Sequence, residues 1–211
     1  MKALIFALSL ILGCAIVSCT DDDDHQAANF EMEFADLKTD ASGAATTLLT
    51  DKGENLSVVN PIHGLVADTT YRYIVVFVRQ TGGIRISSSA PAITGDPSPF
   101  HNTTVLTDSV QLQSIWRGSH YMNLTLLVWA KNKRHAFGFV NQGLSTAEDG
   151  HHVLHLLLYH NANNDVTAFP HTTYLSCSLK NFQDQLSSGR DSVFFIINET
   201  GKGPVEHRLA Y

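Results

Sequence analysis

The sequence contains little cysteine, with 3 among its 211 residues. Cys14 and Cys19 lie near the N-terminus, so Cys177 is the only cysteine in the rest of the chain. An internal disulfide in that part is excluded, and the fold must be stabilised by core packing. Cys177 stands in an alternating stretch, Tyr174 to Leu179, where we expect a small buried thiol rather than a nucleophile.

Basic residues are also scarce, with 14 Lys and Arg against 20 Asp and Glu and a formal net charge of −6. A protein that binds a phosphate backbone needs the opposite balance, so we expect no nucleic-acid partner. The sequence predicts no cofactor.

The longest apolar run extends only from Ala3 to Val17 and is interrupted by Ser9. A spanning helix needs about 20 apolar residues, so a transmembrane segment is disfavoured. Lys2 precedes the run and the small residue Ser18 ends it, a pattern typical of a secretory signal peptide. We assign residues 1–18 to that signal and exclude them from the fold.

The end of this leader, Ile16-Val17-Ser18-Cys19, resembles a bacterial lipobox. The resemblance implies that Cys19 receives a lipid and becomes the mature N-terminus, where multiple acyl chains would anchor the protein to the membrane. Cys14, after Leu12-Gly13, is the competing site. Cys19 is favoured because cleavage there uses the whole apolar run and leaves an acidic segment at the new terminus.

That acidic segment consists of Asp21, Asp22, Asp23 and Asp24. It resembles the surface-export signal of Bacteroides-type lipoproteins, which implies an outer-membrane anchor that faces the cell exterior. The alternative is a merely solvated spacer. Residues 19–29 cannot bury apolar area and are predicted to form a flexible tether.

Residues 30–95 contain about five short β-like segments. The longest, Tyr71 to Arg79, is apolar on both faces, as expected for a strand of a small barrel. The stretch Gly95-Asp96-Pro97-Ser98-Pro99 cannot continue a helix or a central strand. We therefore place a linker at 96–103.

Residues 104–211 contain seven further β-like segments and only one short stretch with helical potential, Asn181 to Ser187. Seven strands favour an antiparallel β-sandwich. The sequence thus predicts an all-β protein with a barrel followed by a sandwich.

Five short motifs carry a resemblance that covers the mature chain: Leu49 to Gly53, Thr69 to Tyr73, Ser114 to Gly118, Tyr121 to Leu124 and Leu156 to Asn161. In order and spacing they resemble the NigD-like lipoproteins of Bacteroides and relatives. The resemblance implies an N-terminal OB-type barrel, a C-terminal β-sandwich and no established biochemical activity. Asn161 stands where the pattern has an aspartate, which argues against a role for His160.

The histidines His151, His152 and His155 suggest a metal site. On a helix His151 and His155 would share a face, but a metalloprotease needs a glutamate where this chain has His152. On a strand the two positions are about 13 Å apart, too far for one ion. Solvent-facing or hydrogen-bonded histidines are the alternative, and we predict no metal.

Catalytic signatures are absent from the sequence as well. Ser114, Ser176 and Ser192 lack a Gly-x-Ser-x-Gly elbow. Acidic residues are sparse in the C-terminal domain. A glycoside hydrolase stays open as an alternative, because its two carboxylates need to be close in space and not in the sequence. We expect no catalytic residues and a protein that is not an enzyme.

Trp116, Arg117, Tyr121 and Trp129 form the best candidate recognition cluster, since aromatic rings and an arginine can contact a sugar or a partner protein. The alternative is that both tryptophans pack the sandwich or the domain interface. The leading hypothesis is a surface-exposed lipoprotein that binds a glycan or a protein. An exported hydrolase, with or without metal, and a purely structural envelope protein are the alternatives.

Overall fold

The computed structural model describes residues 29–99 and 104–211. The signal peptide, Cys14, Cys19, the acidic run Asp21 to Asp24 and part of the predicted linker therefore lie outside the described residues. The described residues form 13 strands and one short 3-10 helix, Lys180–Phe182. None of the described helical segments is long and apolar enough to cross a bilayer.

The first five strands close into a barrel. They are β1 (Phe30–Thr39), β2 (Ala45–Thr50), β3 (Asn55–Ile62), β4 (Thr70–Gln80) and β5 (Gly83–Pro91). Their order around the barrel is β1-β2-β3-β5-β4, and β4 pairs with β1 to close it. Alternate residues point inward, and the interior is filled by apolar side chains that include Leu37, Leu48, Val75, Phe77 and Ile84.

The remaining strands form two stacked sheets. They are β6 (Ile93–Gly95), β7 (Gln111–Gly118), β8 (Tyr121–Ala130), β9 (Ala136–Thr146), β10 (His152–Asn161), β11 (Phe169–Ser178), β12 (Ser192–Glu199) and β13 (Gly203–Ala210). One sheet has the order β13-β12-β10-β9 and the other β6-β11-β8-β7. The core between them contains Leu124, Leu126, Leu156, Phe195 and other buried apolar residues.

The sandwich is antiparallel apart from two pairings. β10 runs parallel to β12, and β6 runs parallel to β11. Because β11 lies in the opposite sheet, the chain leaves the first sheet after β10 and returns to it as β12 in the same direction. The all-β class and the order of barrel and sandwich predicted from the sequence are confirmed.

The barrel and the sandwich meet through two outer sheet faces. Phe34 and Asp36 on β1 and Arg72 on β4 alternate with residues that face the barrel interior, so their side chains point outward. On β7, β8 and β11, Trp116, Asn123 and Ser176 lie at paired positions and point away from the sandwich core. These two faces together form the candidate functional site.

Candidate functional site

A buried arginine stands at the centre of the domain interface. The Arg72 side chain is 2% exposed, although it belongs to the longest strand of the barrel. Its Nη1 donates to Asp36 Oδ1 at 3.1 Å, and its Nη2 donates to Asp51 Oδ2 at 2.6 Å. Two carboxylates of the barrel thus compensate one buried guanidinium.

The sandwich completes the shell around this arginine. Arg72 Nε donates to Ser176 Oγ at 3.1 Å, and Nη2 donates to Asn123 Oδ1 at 3.1 Å. Asn123 Nδ2 in turn donates to Asp51 Oδ2 at 2.6 Å. The guanidinium also lies 4.0 Å from the centroid of the Tyr121 ring. One hydrogen-bond network therefore joins groups of both domains and fixes the orientation of the two domains relative to each other.

Aromatic side chains extend the interface beside this network. The ring of Phe34 meets Trp116 edge-to-face at a centroid distance of 5.3 Å and Tyr174 at 5.9 Å. Phe34 is buried, whereas Trp116 remains 37% exposed. The indole therefore has one side packed on the barrel and another side open to solvent.

The open side of Trp116 faces a pocket of about 400 Å³ between the two domains. Met32, Phe34 and Trp116 supply its apolar wall. Its polar wall contains Asp51, the Glu33–Lys52 ion pair and Ser119. A cavity with an aromatic wall and a few polar groups is typical of a ligand site.

The structure keeps only part of the predicted recognition cluster together: Trp116 and Arg117 both line the interdomain pocket, whereas Tyr121 and Trp129 do not. Trp116 and Tyr121 both point towards the barrel. Arg117 points the other way because consecutive strand residues alternate, and its guanidinium lies 4.4 Å from the centroid of the Tyr211 ring. Its Nε is buried without a hydrogen-bond partner among the described residues. Trp129 lies near the far end of β8 and lines another pocket.

That second pocket, also about 400 Å³, contains a buried histidine pair. His135 Nδ1 lies 3.0 Å from His160 Nε2, and His160 Nδ1 donates to the Asp108 carbonyl at 2.8 Å. Because a carbonyl only accepts, this contact requires a proton on His160 Nδ1. Burial lowers the pKa of His160 and the nearby His135 lowers it further, against an opposing contribution from Asp108.

Asp165 lies beside this pair, with Oδ2 at 3.5 Å from His135 Nε2. Burial alone would raise the pKa of Asp165, but backbone N–H groups outweigh it and lower the pKa to about 2. The donors include Lys131 at 2.7 Å, Val166 at 2.9 Å and Lys133 at 3.2 Å. The carboxylate therefore holds the β8–β9 turn to the β10–β11 loop.

The histidines of the candidate metal motif, His151, His152 and His155, each contact a different neighbour. His152 contacts Thr146 and His155 contacts Ser145, each on the neighbouring strand β9. His151 precedes β10 and contacts Asp149. In the described parts of the chain, no group of three or more His, Cys, Asp or Glu side chains has the geometry to hold a metal ion.

Cys177 is fully buried in the sandwich core, on the face of β11 opposite to Ser176. Burial raises the pKa of its thiol well above the ordinary value, and the Asp96 carboxylate raises it further. A protonated, enclosed thiol is unreactive.

Little in the sequence indicates which residues meet at the domain interface. Arg72 was visible as a charged residue inside an otherwise apolar strand, which is a signal for a buried ion pair. Its partners Asp51, Asn123 and Ser176 lie 21, 51 and 104 positions away along the chain. No local pattern links residues at such separations.

The sandwich sequence and the fold of the chain are similar to those of known proteins. A family model described as the NigD-like C-terminal β-sandwich domain matches residues 93–208. No curated protein matches the sequence. A NigD-like immunity protein of Bacteroides caccae has a similar structure, with a TM-score of 0.67, 26% identity and coverage of 84% of this chain and 91% of that chain.

Two more distant structures share the fold alone. A protein of unknown function from Bacteroides vulgatus has a TM-score of 0.64 and 18% identity, and the match covers 86% of this chain and 91% of that chain. A candidate lipoprotein of Bacteroides fragilis has a TM-score of 0.58 and 10% identity, and the match covers 86% of this chain and 98% of that chain.

Proposed function

The chain belongs to the NigD-like family, and from that premise we propose that it is a lipid-anchored envelope lipoprotein that binds a glycan or a protein outside the cell. The interdomain pocket beside Trp116 is the proposed binding site. Cys19 carries the lipid in this proposal, and Asp21 to Asp24 direct the protein to the outer face of the outer membrane.

The observation that supports binding at this pocket is the half-exposed indole of Trp116 above a rigid base. Phe34 holds one side of the indole, and the paired network around Arg72 holds the two walls of the pocket together. A preorganised aromatic surface loses little conformational entropy on binding, which makes it suited to a sugar ring or a partner's side chain.

We propose binding rather than catalysis because both carboxylates at the pocket are engaged in ion pairs. Asp51 is bonded to Arg72 and Asn123, and Glu33 is paired with Lys52. A general acid or base needs a proton that it can exchange with a substrate. In the described part of the chain, neither Asp51 nor Glu33 is an unpaired carboxylate next to a nucleophile.

A binding screen with a matched pair of variants tests this function. Purified residues 30–211 are screened against glycans and peptides, and the Kd of each hit is measured for Trp116→Ala and Trp129→Ala. We expect Trp116→Ala to weaken binding by about 2 kcal/mol, or roughly thirtyfold, because it removes an aromatic anchor. Trp129→Ala, at the other pocket, should leave the Kd unchanged.

The same sample also tests the alternative functions. Equal Kd values for the two variants would remove the interdomain pocket as the binding site. Stoichiometric zinc, or turnover that His155→Ala abolishes, would instead favour an exported hydrolase. A complete failure to bind glycans and peptides would favour a structural envelope protein.

A further inference from the structure

The outer strands of the two sandwich sheets differ in how they are protected. An edge strand exposes unpaired N–H and C=O groups, and proteins normally cover such edges, shorten them or charge them. The four edge strands here are β6, β7, β9 and β13.

Three of these edges carry such protection. β6 has only three residues. β9 is covered by Ser98, whose N–H donates to the Phe139 carbonyl at 3.1 Å and whose carbonyl accepts from Asn141 at 3.0 Å. β13 carries the charged or titratable run Glu206, His207 and Arg208.

β7 has no comparable protection. Its sequence is uncharged from Gln111 to Trp116. Val110, just before the strand, exchanges backbone hydrogen bonds with Asn198 and Thr200. Within 29–99 and 104–211, the backbone of β7 itself forms no hydrogen bond outside its ladder with β8.

The register identifies the backbone groups that remain open. The two-residue turn Ser119–His120 makes Gly118 and Tyr121 the closing hydrogen-bonded pair of the β7–β8 hairpin. Hydrogen-bonded pairs alternate along an antiparallel ladder, so Trp116 also bonds to β8. The N–H and C=O groups of Ile115 and Arg117 therefore point away from β8.

A bulge confines this open edge to the end of β7 near the pocket. The register shifts between Leu112 and Ser114, so the regular part of the strand is Ser114 to Gly118. Trp116, Arg117 and Gly118 in this part also line the interdomain pocket. The open backbone groups and the pocket thus lie at the same place.

The charges at the pocket indicate which side chain fits it. Glu33 is paired with Lys52, and Asp51 is paired with Arg72. Arg117 also lines the pocket, but its guanidinium lies against the Tyr211 ring on the other face of β7. The apolar wall of Met32, Phe34 and Trp116 is left to receive an uncharged group. A large apolar or aromatic side chain complements this surface.

We propose that β7 is a docking edge to which an extended segment of a partner protein adds as a fifth strand of the sheet. The segment pairs with the backbone of Ile115 and Arg117 and inserts one large apolar or aromatic side chain beside Trp116. This inference rests on the proposed binding function and specifies the class of ligand and the mode of binding.

The tether ahead of β1 and the β7 edge of a second copy offer no suitable occupant. Residues 19–29, which lead into β1, contain no large apolar side chain that could fill the pocket. In a second copy paired through its own β7, Trp116 would be packed on Phe34 and Ile115 on the sandwich core. Neither side chain is available to enter the pocket of the first copy.

The first test is a selection from a displayed library of random twelve-residue peptides on the full chain in detergent, followed by amide hydrogen exchange measured by NMR. Without peptide, the amides of Ile115 and Arg117 should exchange rapidly because they have no acceptor. A selected peptide should slow both of them at least about tenfold, while amides on β13 stay unchanged.

The second test separates the backbone group from the side chain. Ile115→Pro removes the outward N–H of an edge strand, a position where proline is tolerated. Ile115→Ala removes a similar amount of packing and keeps that N–H. We expect Ile115→Pro to bind the selected peptides about tenfold more weakly than Ile115→Ala does.

The outcomes distinguish a failure of strand addition from a failure of the proposed function. Equal binding by the two variants, protection of another strand, or self-association of the full chain through β7 would overturn strand addition. If no peptide is selected but glycans bind and Trp116→Ala abolishes that binding, strand addition fails while the proposed function stands. If peptides and glycans both fail to bind, the proposed function fails as well.

Discussion

At the scale of single residues, Arg72 determines how the two domains meet. A buried guanidinium is stable only when its donors are satisfied, and here Asp36 and Asp51 of the barrel share it with Asn123 and Ser176 of the sandwich. Gly118 makes this arrangement possible, because a Cβ at its position would lie 2.2 Å from Asp51 Oδ2. A larger residue would displace the carboxylate from the arginine.

We therefore predict that Gly118→Ala lowers the free energy of unfolding by about 1–3 kcal/mol through overpacking at the interface. Urea denaturation measures the change. Gly138→Ala is the matched control, since a Cβ there would meet Tyr159 at an ordinary 3.6 Å. An equal effect of the two substitutions would contradict the role assigned to the close contact with Asp51.

At the scale of elements, the turns at one end of the sandwich are held by a carboxylate. Asp165 on the β10–β11 loop accepts backbone N–H groups from Lys131 and Lys133 on the β8–β9 turn. The same bonds lower the pKa of Asp165 to about 2. The folded state thus binds the Asp165 proton more weakly than the unfolded chain does, because the carboxyl of the unfolded chain has the ordinary pKa of 3.8.

The stabilisation by ionised Asp165 is complete above pH 3.8 and is lost as the pH falls towards 2. We expect the free energy of unfolding of Asp165→Asn to decrease less between about pH 4 and pH 2, the range spanned by these two pKa values, than that of the unaltered protein.

Urea unfolding followed by tryptophan fluorescence at several pH values measures this difference. Asp184→Asn provides the control, because Asp184 is exposed and outside this set of backbone contacts. The same pH slope for Asp165→Asn and the unaltered protein would show that Asp165 does not hold the two turns in this way.

Most of these elements could be predicted from the sequence. The stretch Tyr71 to Arg79, predicted as a barrel strand because it is apolar on both faces, lies within β4, Thr70–Gln80. β6 was missed because three residues carry no periodicity, and it exists only through pairing with Leu175 to Cys177. The site could be predicted only in part: Trp116 was identified, but its strand partner Asn123 and the contact with Phe34 depend on tertiary structure.

At the scale of the whole molecule, only a short segment of chain connects the proposed lipid anchor to the proposed binding site. The described chain begins at residue 29, and β1 passes the interdomain pocket at Met32. If Cys19 carries the lipid, fewer than fifteen residues separate the membrane from the pocket, or at most about 50 Å of extended chain. The partner should therefore be found close to the membrane surface.

This proposal predicts that Cys19→Ala moves the protein from the membrane fraction to the soluble fraction, because several acyl chains are lost at once. Fractionation with immunoblotting measures the distribution, and Cys14→Ala is the matched control. If Cys14→Ala releases the protein while Cys19→Ala leaves it lipidated, the lipidation site is Cys14. Replacement of Asp21 to Asp24 by alanine should reduce digestion by protease added to intact cells.

The enclosed position of Cys177 has a practical consequence for such experiments. Its thiol is buried in the sandwich core and stays protonated at neutral pH. Residues 30–211 contain no other cysteine, so maleimide dyes should leave the folded domains unlabelled. A single cysteine introduced at the exposed Val66 would then carry one fluorophore, and energy transfer to a labelled peptide could report where the peptide sits.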